Sequence, residues 1–277
     1  MPVGDARVTD DTIRVICASD RAFLRHVPVM LASLRAHTAA PLRVSVVGTD
    51  WRDEEVARLR AAVEGIELDV LNIPAAALAG LAHKAVLSPL SYARCVIADL
   101  VEAERFLYLD VDMIVRADVS ALWAVDLGTA PAAAVFHGKS LNAGLLLVNA
   151  AEWRRRGLGA SLIEYARVHR PKEADQEAIE ALIGPEMVRL DPQWNTLVDP
   201  VWGKHLLQDP AHLDDARILH FITGYKPWNL GAALLPRRYL REWRRYRRPS
   251  GLPVLWRQEM RTAAWQGATL LKSALRR

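Results

Sequence analysis

Short apolar runs alternate with amphipathic stretches through the first half of the chain. Ile13-Arg-Val-Ile-Cys-Ala18 reads as a first buried strand, Leu42 to Val47 as a second closed by Gly48, and Ile66 to Ile73 as a third. Between the first two, a helical pattern follows Ser19-Asp20 and runs to about His37. Pro28 lies early in it, where proline is tolerated or marks a later start. Asp53 to Glu64 is amphipathic and ended by Gly65. Ala75 to Val86 is alanine-rich and weakly helical, and Ser91 to Glu102 is a firmer helix. Phe106 to Leu109, Ala132 to Phe136, Leu145 to Val148 and, late in the chain, Ile218 to Phe221 read as further strands. Helical patterns at Ala151–Arg156, Leu158–His169 and Asp175–Ile183 fall between the last two. The alternation predicts an α/β domain with a largely parallel sheet. Such sheets bind ligands beyond the carboxyl ends of their strands, which is where Asp20 and Asp110 fall.

The run Arg105-Phe-Leu-Tyr-Leu-Asp-Val-Asp-Met-Ile-Val115 carries the strongest chemical signal. A buried strand ends on Asp110 and Asp112, and apolar sequence resumes at once. Unpaired carboxylates beside a core are costly, and two of them one residue apart repel unless a cation lies between them. A divalent metal with a phosphate-bearing substrate completing its shell would account for the pair. A strand-end turn with solvated acids would account for it equally well.

Composition adds a boundary. Of the 277 residues 51% are apolar, enough for a substantial core. Cys17 and Cys95 lie in apolar or helical contexts and read as buried free thiols. The first residues lack a signal-peptide core, and no apolar stretch approaches a membrane-spanning helix. The expectation is a cytoplasmic protein, peripheral at most on the inner face of a membrane. From Arg237 to Arg277 there are 12 Lys/Arg against 2 Asp/Glu, while the first 236 residues hold 24 against 30. The expected organisation is therefore a domain over 1–236 and a basic, aromatic helical extension over 237–277. In the extension Tyr239, Leu240, Trp243 and Tyr246 fall at helical spacing among arginines. Trp256, Met260, Ala264, Leu271 and Leu275 share one side of a second segment. Two readings stand: an anionic membrane surface as partner, or a helical cap packed on the domain with its arginines solvated. No nucleic-acid module accompanies the basic residues, so nucleic acid is not an expected partner.

Six motifs in one order carry a resemblance. They are Val15-Ile-Cys-Ala-Ser-Asp20; Ser91-Tyr-Ala-Arg94 followed by Phe106-Leu-Tyr-Leu-Asp-Val-Asp112; and Leu141-Asn-Ala-Gly-Leu-Leu-Leu-Val-Asn149 with Glu152-Trp-Arg154. Then come Ala174-Asp-Gln-Glu177, Leu190-Asp-Pro-Gln-Trp-Asn195 and His220-Phe-Ile-Thr-Gly-Tyr-Lys-Pro-Trp228. From about Ile13 to Trp228 the chain resembles the family 8 glycosyltransferases, retaining enzymes of GT-A fold, and most of all the bacterial lipopolysaccharide galactosyl- and glucosyltransferases. The resemblance implies a Rossmann-like mixed sheet flanked by helices, with the basic helical extension at its C-terminus. It implies transfer of a hexose, glucose or galactose first, from a UDP-sugar to a hydroxyl of a glycan or lipid-linked saccharide acceptor.

The same resemblance implies roles. Asp110, Asp112 and His220 would hold one divalent ion, Mn²⁺ before Mg²⁺ because an imidazole joins the carboxylates. Lys226 would add charge for the diphosphate, and Gly224 would let backbone approach it. Ala18 and Asp20 would meet the uracil, although aspartate there also suits a helix N-cap. Arg94 would reach the donor and pair with a carboxylate, or form an ordinary helix-surface salt bridge. Val111 would lie against the nucleotide, and Asn142, Ala143 and Gly144 resemble a sugar-contacting turn. Asp175 and Gln176 would face the donor sugar, or cap a helix. A retaining glycosidase uses a carboxylate nucleophile. Here the expected position holds Gln176, whose amide is a poor nucleophile, so a front-face displacement fits better, with Asp175 as the fallback. The competing readings are a haloacid-dehalogenase-type phosphatase, which also carries Asp-x-Asp after a buried strand but near its N-terminus, and a non-catalytic membrane-associated protein of transferase fold.

Overall fold

The computed structural model describes residues 12–21, 23–49, 51–63, 65–73, 78–81, 89–198, 213–222, 226–229, 232, 235 and 237–247. Most of the 75–86 segment and all of the tail beyond 247, with its second aromatic segment, lie outside the described residues.

Strands β1 (Ile13–Ala18), β2 (Leu42–Gly48), β3 (Glu67–Asn72) and β4 (Arg105–Leu109) form the parallel half of a seven-stranded sheet. Helices α1 (Val27–His37), α2 (Asp53–Ala61) and α3 (Ala93–Leu100) connect them, and Pro28 occupies the first turn of α1, where its missing N–H costs nothing. Beyond β4 the chain turns, and β5 (Met113–Val115) leaves the sheet. After α4 (Ser120–Trp123), β6 (Ala132–His137) and β7 (Ser140–Asn149) return as an antiparallel pair, β7 lying against β4. Then follow α5 (Ala150–Arg155), α6 (Leu158–His169), α7 (Asp175–Ile183) and the short edge strand β8 (Val188–Arg189). The sheet order is β3-β2-β1-β4-β7-β6-β8. The sheet is therefore mixed, as the resemblance implies, with four of its six strand pairings parallel.

A second, three-stranded sheet pairs β5 with β10 (Ile218–His220), and β10 with β9 (Thr196–Leu197). Of these, β10 matches the strand read at Ile218–Phe221, while β5 and β9, of three and two residues, are too short to show a period in sequence. One buried cluster lies on each face of the large sheet, and a third joins the small sheet to α1 and the last described helix, α8 (Arg237–Arg247). Cys17 and Cys95 are free and buried, and burial pushes both thiols up.

Helix α8 shows where its aromatics go. Tyr239, Trp243 and Tyr246 are buried, and Arg241, Arg244 and Arg245 are exposed. Arg116 ties the helix down: its guanidinium donates to Leu213 O (2.8 Å) and Ala216 O (3.2 Å) and pairs with Glu242 Oε1 at 3.0 Å. These three aromatics cap the domain and are not available to a membrane. We expect Trp243→Ala to cost about 3–5 kcal/mol, measured by denaturant unfolding; a loss below about 1 kcal/mol would show that α8 is not part of the core. Among the described residues no helix is long and apolar enough to cross a membrane.

Candidate active site

The site forms where β1 and β4 end. Val15 pairs with Leu107 and Ile16 with Tyr108. By that register Ala18 falls level with Asp110. On the other side Leu109 faces Leu145, and Asp110 N–H donates to Gly144 O at 2.8 Å. The small sheet supplies the third side: His220 faces Met113, and Phe221 N–H donates to Asp112 O at 2.9 Å. Main-chain pairing in two sheets thus brings residues 110–112, 144 and 220 together.

One ligand atom from each of Asp110, Asp112 and His220 lies within 4.8 Å of the others. His220 Nε2 is 3.1 Å from Asp112 Oδ1 and 3.7 Å from Asp110 Oδ2. Asp112 Oδ1 is buried with no hydrogen-bond partner. On its other oxygen Asp112 is met by Lys226, which also donates to Phe221 O. Burial pushes the Asp112 carboxyl up, but the Lys226 charge and then His220 pull harder and hold it below the usual carboxylate range.

Arg94 lies on the opposite flank. Its guanidinium donates to Asp110 Oδ1 (3.1 Å) and to Ala143 O, and its Nε is 3.0 Å from Asp175 Oδ2. Its guanidinium carbon stands 4.8 Å from the centre of the Tyr108 ring. Burial disfavours the Arg94 charge, but Asp110 and Asp175 more than restore it. Burial raises the Tyr108 phenol, which keeps its proton and donates to Asp110 Oδ1 at 3.0 Å. Burial also raises Asp175, with Arg94 opposing. Ala143 N–H donates to Gln176 Oε1 at 3.4 Å.

The remaining predicted residues take the following places. Asn142, Ala143 and Gly144 lie within β7, where the pairing with β6 jumps from Leu146 to Asn142 and leaves residues 143–145 without a β6 partner. The glycine has a nearer reason than room for a sugar: a Cβ there would sit 2.3 Å from His220 Cε1 and 2.8 Å from Asp110 Oδ2. Asp20 takes the turn-capping position, its Oδ1 accepting from Phe23 N–H at 3.0 Å. Gly224 lies outside the described residues. Val111 is buried between the two aspartates.

Two neighbours had no role in the sequence reading. Tyr108 is hidden inside an apolar strand. Asn195 closes the Leu190-to-Asn195 motif, and its position in a recurring motif was its one signal. It is fully buried, hydrogen-bonded to His220 Nδ1 (2.9 Å) and to Asn142 Oδ1 (2.9 Å).

The fold and the clustered strand-end acids define the GT-A class of transferases. The crystal structure of galactosyltransferase LgtC with donor and acceptor sugar analogues superposes with a TM-score of 0.73 at 20% identity, covering 88% of this chain and 99% of that one. The chain matches glycosyl transferase family 8 over residues 14–231 and belongs to that family. Among similar proteins, glycosyltransferase GlyA of Streptococcus pneumoniae is 27% identical over 225 residues, covering 77% of this chain and 32% of GlyA. GlyE of the same organism is 28% identical over 236 residues, covering 78% of this chain and 56% of GlyE. General stress protein A of Bacillus subtilis is 23% identical over 256 residues, covering 79% of this chain and 88% of that protein. The chain thus spans about a third of GlyA and just over half of GlyE. The family match favours neither the phosphatase nor the non-catalytic reading.

Proposed function

We propose that the protein transfers a hexose from a UDP-sugar to an acceptor hydroxyl with retention at the anomeric carbon. The carrying observation is the buried, unpartnered Asp112 Oδ1 lying 3.1 Å from His220 Nε2 beside Asp110. Three carboxylates, Asp110, Asp112 and Asp175, share two fixed cations, Arg94 and Lys226. That balance favours one more cation, and two carboxylates with an imidazole suit Mn²⁺. Bound by Asp110, Asp112 and His220, a divalent ion would offset the charge that grows on the departing diphosphate.

The remaining roles belong to the chain. Lys226 would turn from Asp112 toward the diphosphate, with Gly224 two residues before it in sequence. Ala18, Asp20 and Val111 would receive the uridine, and Arg94 would meet the donor from the other flank. Asn142, Ala143 and Gly144 would line the hexose. A main-chain N–H can only donate, so Gln176 turns its oxygen to Ala143 and presents its amide NH₂ on the other side. Asp175 is buried against Arg94. Neither group is placed as a free nucleophile, which supports the front-face route. The acceptor oxygen bonds to the anomeric carbon as the bond from that carbon to the phosphate oxygen breaks. The acceptor proton passes to the departing phosphate oxygen, and UDP leaves.

The exposed arginines of α8 support an anionic surface as a further partner, such as a membrane carrying a lipid-linked saccharide acceptor. Release of UDP from a panel of UDP-sugars, with Mn²⁺ or with chelator and with or without anionic vesicles, tests the reading. UDP-glucose or UDP-galactose should be turned over with metal and not without it. No metal-dependent UDP release from any donor would overturn it.

A further inference from the structure

Asn195 stands at the end of a hydrogen-bond chain whose direction is set by the main chain. Gly144 N–H donates to Asn142 Oδ1 at 3.0 Å. A backbone N–H has nothing to accept with, so the Asn142 atom it meets is the oxygen. The Asn195 atom 2.9 Å from that same oxygen must then be the amide nitrogen. The Asn142 carbonyl, 3.4 Å from the same nitrogen, requires a donor there as well. The other end of the Asn195 amide is therefore oxygen, and it faces His220 Nδ1 at 2.9 Å. An oxygen there requires the ring proton on Nδ1. In the neutral ring this leaves Nε2 with its lone pair, 3.1 Å from Asp112 Oδ1 and 3.7 Å from Asp110 Oδ2.

We infer that Asn195 is a positioning residue that holds the neutral His220 ring as its Nδ1–H tautomer and so makes Nε2 a ligand. The inference rests on the reading of Asp110, Asp112 and His220 as a cation site. With the proton on Nε2 instead, the ring would donate to Asp112 Oδ1 and close the site to a metal. Histidine ligands characteristically donate their second ring N–H to an oxygen that fixes tautomer and orientation. Here an amide supplies that oxygen. Its own direction is fixed through Asn142 from Gly144, the residue whose Cβ would collide with the same imidazole. One three-residue stretch of β7 thus controls both the place of the ring and its proton.

The test reads the proton directly. Long-range ¹H–¹⁵N spectra of metal-free protein labelled at the histidine ring nitrogens, under conditions where the ring is neutral, give the tautomer of each histidine. His220→Gln assigns its signal by loss. The wild type should carry the proton on Nδ1. Asn195→Asp keeps the acceptor and should keep that tautomer. Asn195→Leu removes the acceptor and should move the proton toward Nε2, with Mn²⁺ affinity by calorimetry falling roughly tenfold to a hundredfold in the absence of donor. A wild-type proton on Nε2 overturns the inference even if neither variant folds, and so does wild-type Mn²⁺ affinity in folded Asn195→Leu. No Mn²⁺ binding by a wild type that carries the proton on Nδ1 overturns the cation-site reading, while Asn195's hold on the tautomer stands.

Discussion

Asp112→Asn should lower metal-dependent UDP release about a thousandfold, the loss of ~4 kcal/mol of transition-state stabilisation. The amide keeps the shape of the carboxylate and loses the charge. That charge faces His220 Nε2 on one oxygen and Lys226 on the other. Without it the site loses one of its three anionic groups, and with it the excess negative charge that favours a divalent ion. The fold should also lose stability, because the native site holds the Asp112 carboxyl below its usual range and so favours its charge. The neutral side chain leaves Lys226 without its anion, but Lys226 still donates to Phe221 O, and repulsion among the carboxylates falls. Calorimetry with Mn²⁺, a melting curve and the UDP-release assay separate these effects. Wild-type turnover by the folded variant would remove Asp112 from the mechanism.

Gly144→Ala should damage the same site by shape alone. The added methyl would meet His220 Cε1 at 2.3 Å and Asp110 Oδ2 at 2.8 Å, far inside contact distance. The strand cannot retreat easily on the β4 side, where Leu109 pairs with Leu145 and Asp110 N–H donates to Gly144 O. The ring must move instead, and its Nδ1 contact to Asn195 goes with it. Overpacking of this kind costs about 1–3 kcal/mol. The displaced imidazole should also cost more than tenfold in Mn²⁺ affinity, by analogy with lost support of a metal ligand. A melting temperature and Mn²⁺ affinity both equal to wild type would show that the ring has room to spare.

The legible part of the site and the illegible part differ in kind. Phe106-Leu-Tyr-Leu109 announces a buried strand, and Asp110 and Asp112 announce themselves by breaking it. Pro28, Gly48 and the apolar face of Leu158–His169 mark element ends and buried sides from local sterics and solvation. A local pattern says that a segment is buried but not against what. Met113–Val115 is apolar in either sheet, and only its antiparallel pairing with Ile218–His220 sets His220 beside Asp112. In the sequence His220 is legible only through the family resemblance, since no spacing rule joins residues so far apart.

The chain by itself therefore determined the α/β class, the strand-end acids and the basic split near residue 237, because burial periodicity and charge are properties of neighbours in sequence. The tertiary structure decided the rest. It turned the α8 aromatics inward against the small sheet and α1. It gave Gly144 a steric reason, buried Asn195 between Asn142 and His220, and set Arg94 between Asp110 and Asp175. Hydrogen-bond direction, close approach and charge balance depend on distances of a few ångströms between distant parts of the chain. Those distances follow from strand register in two sheets at once, which no single segment encodes.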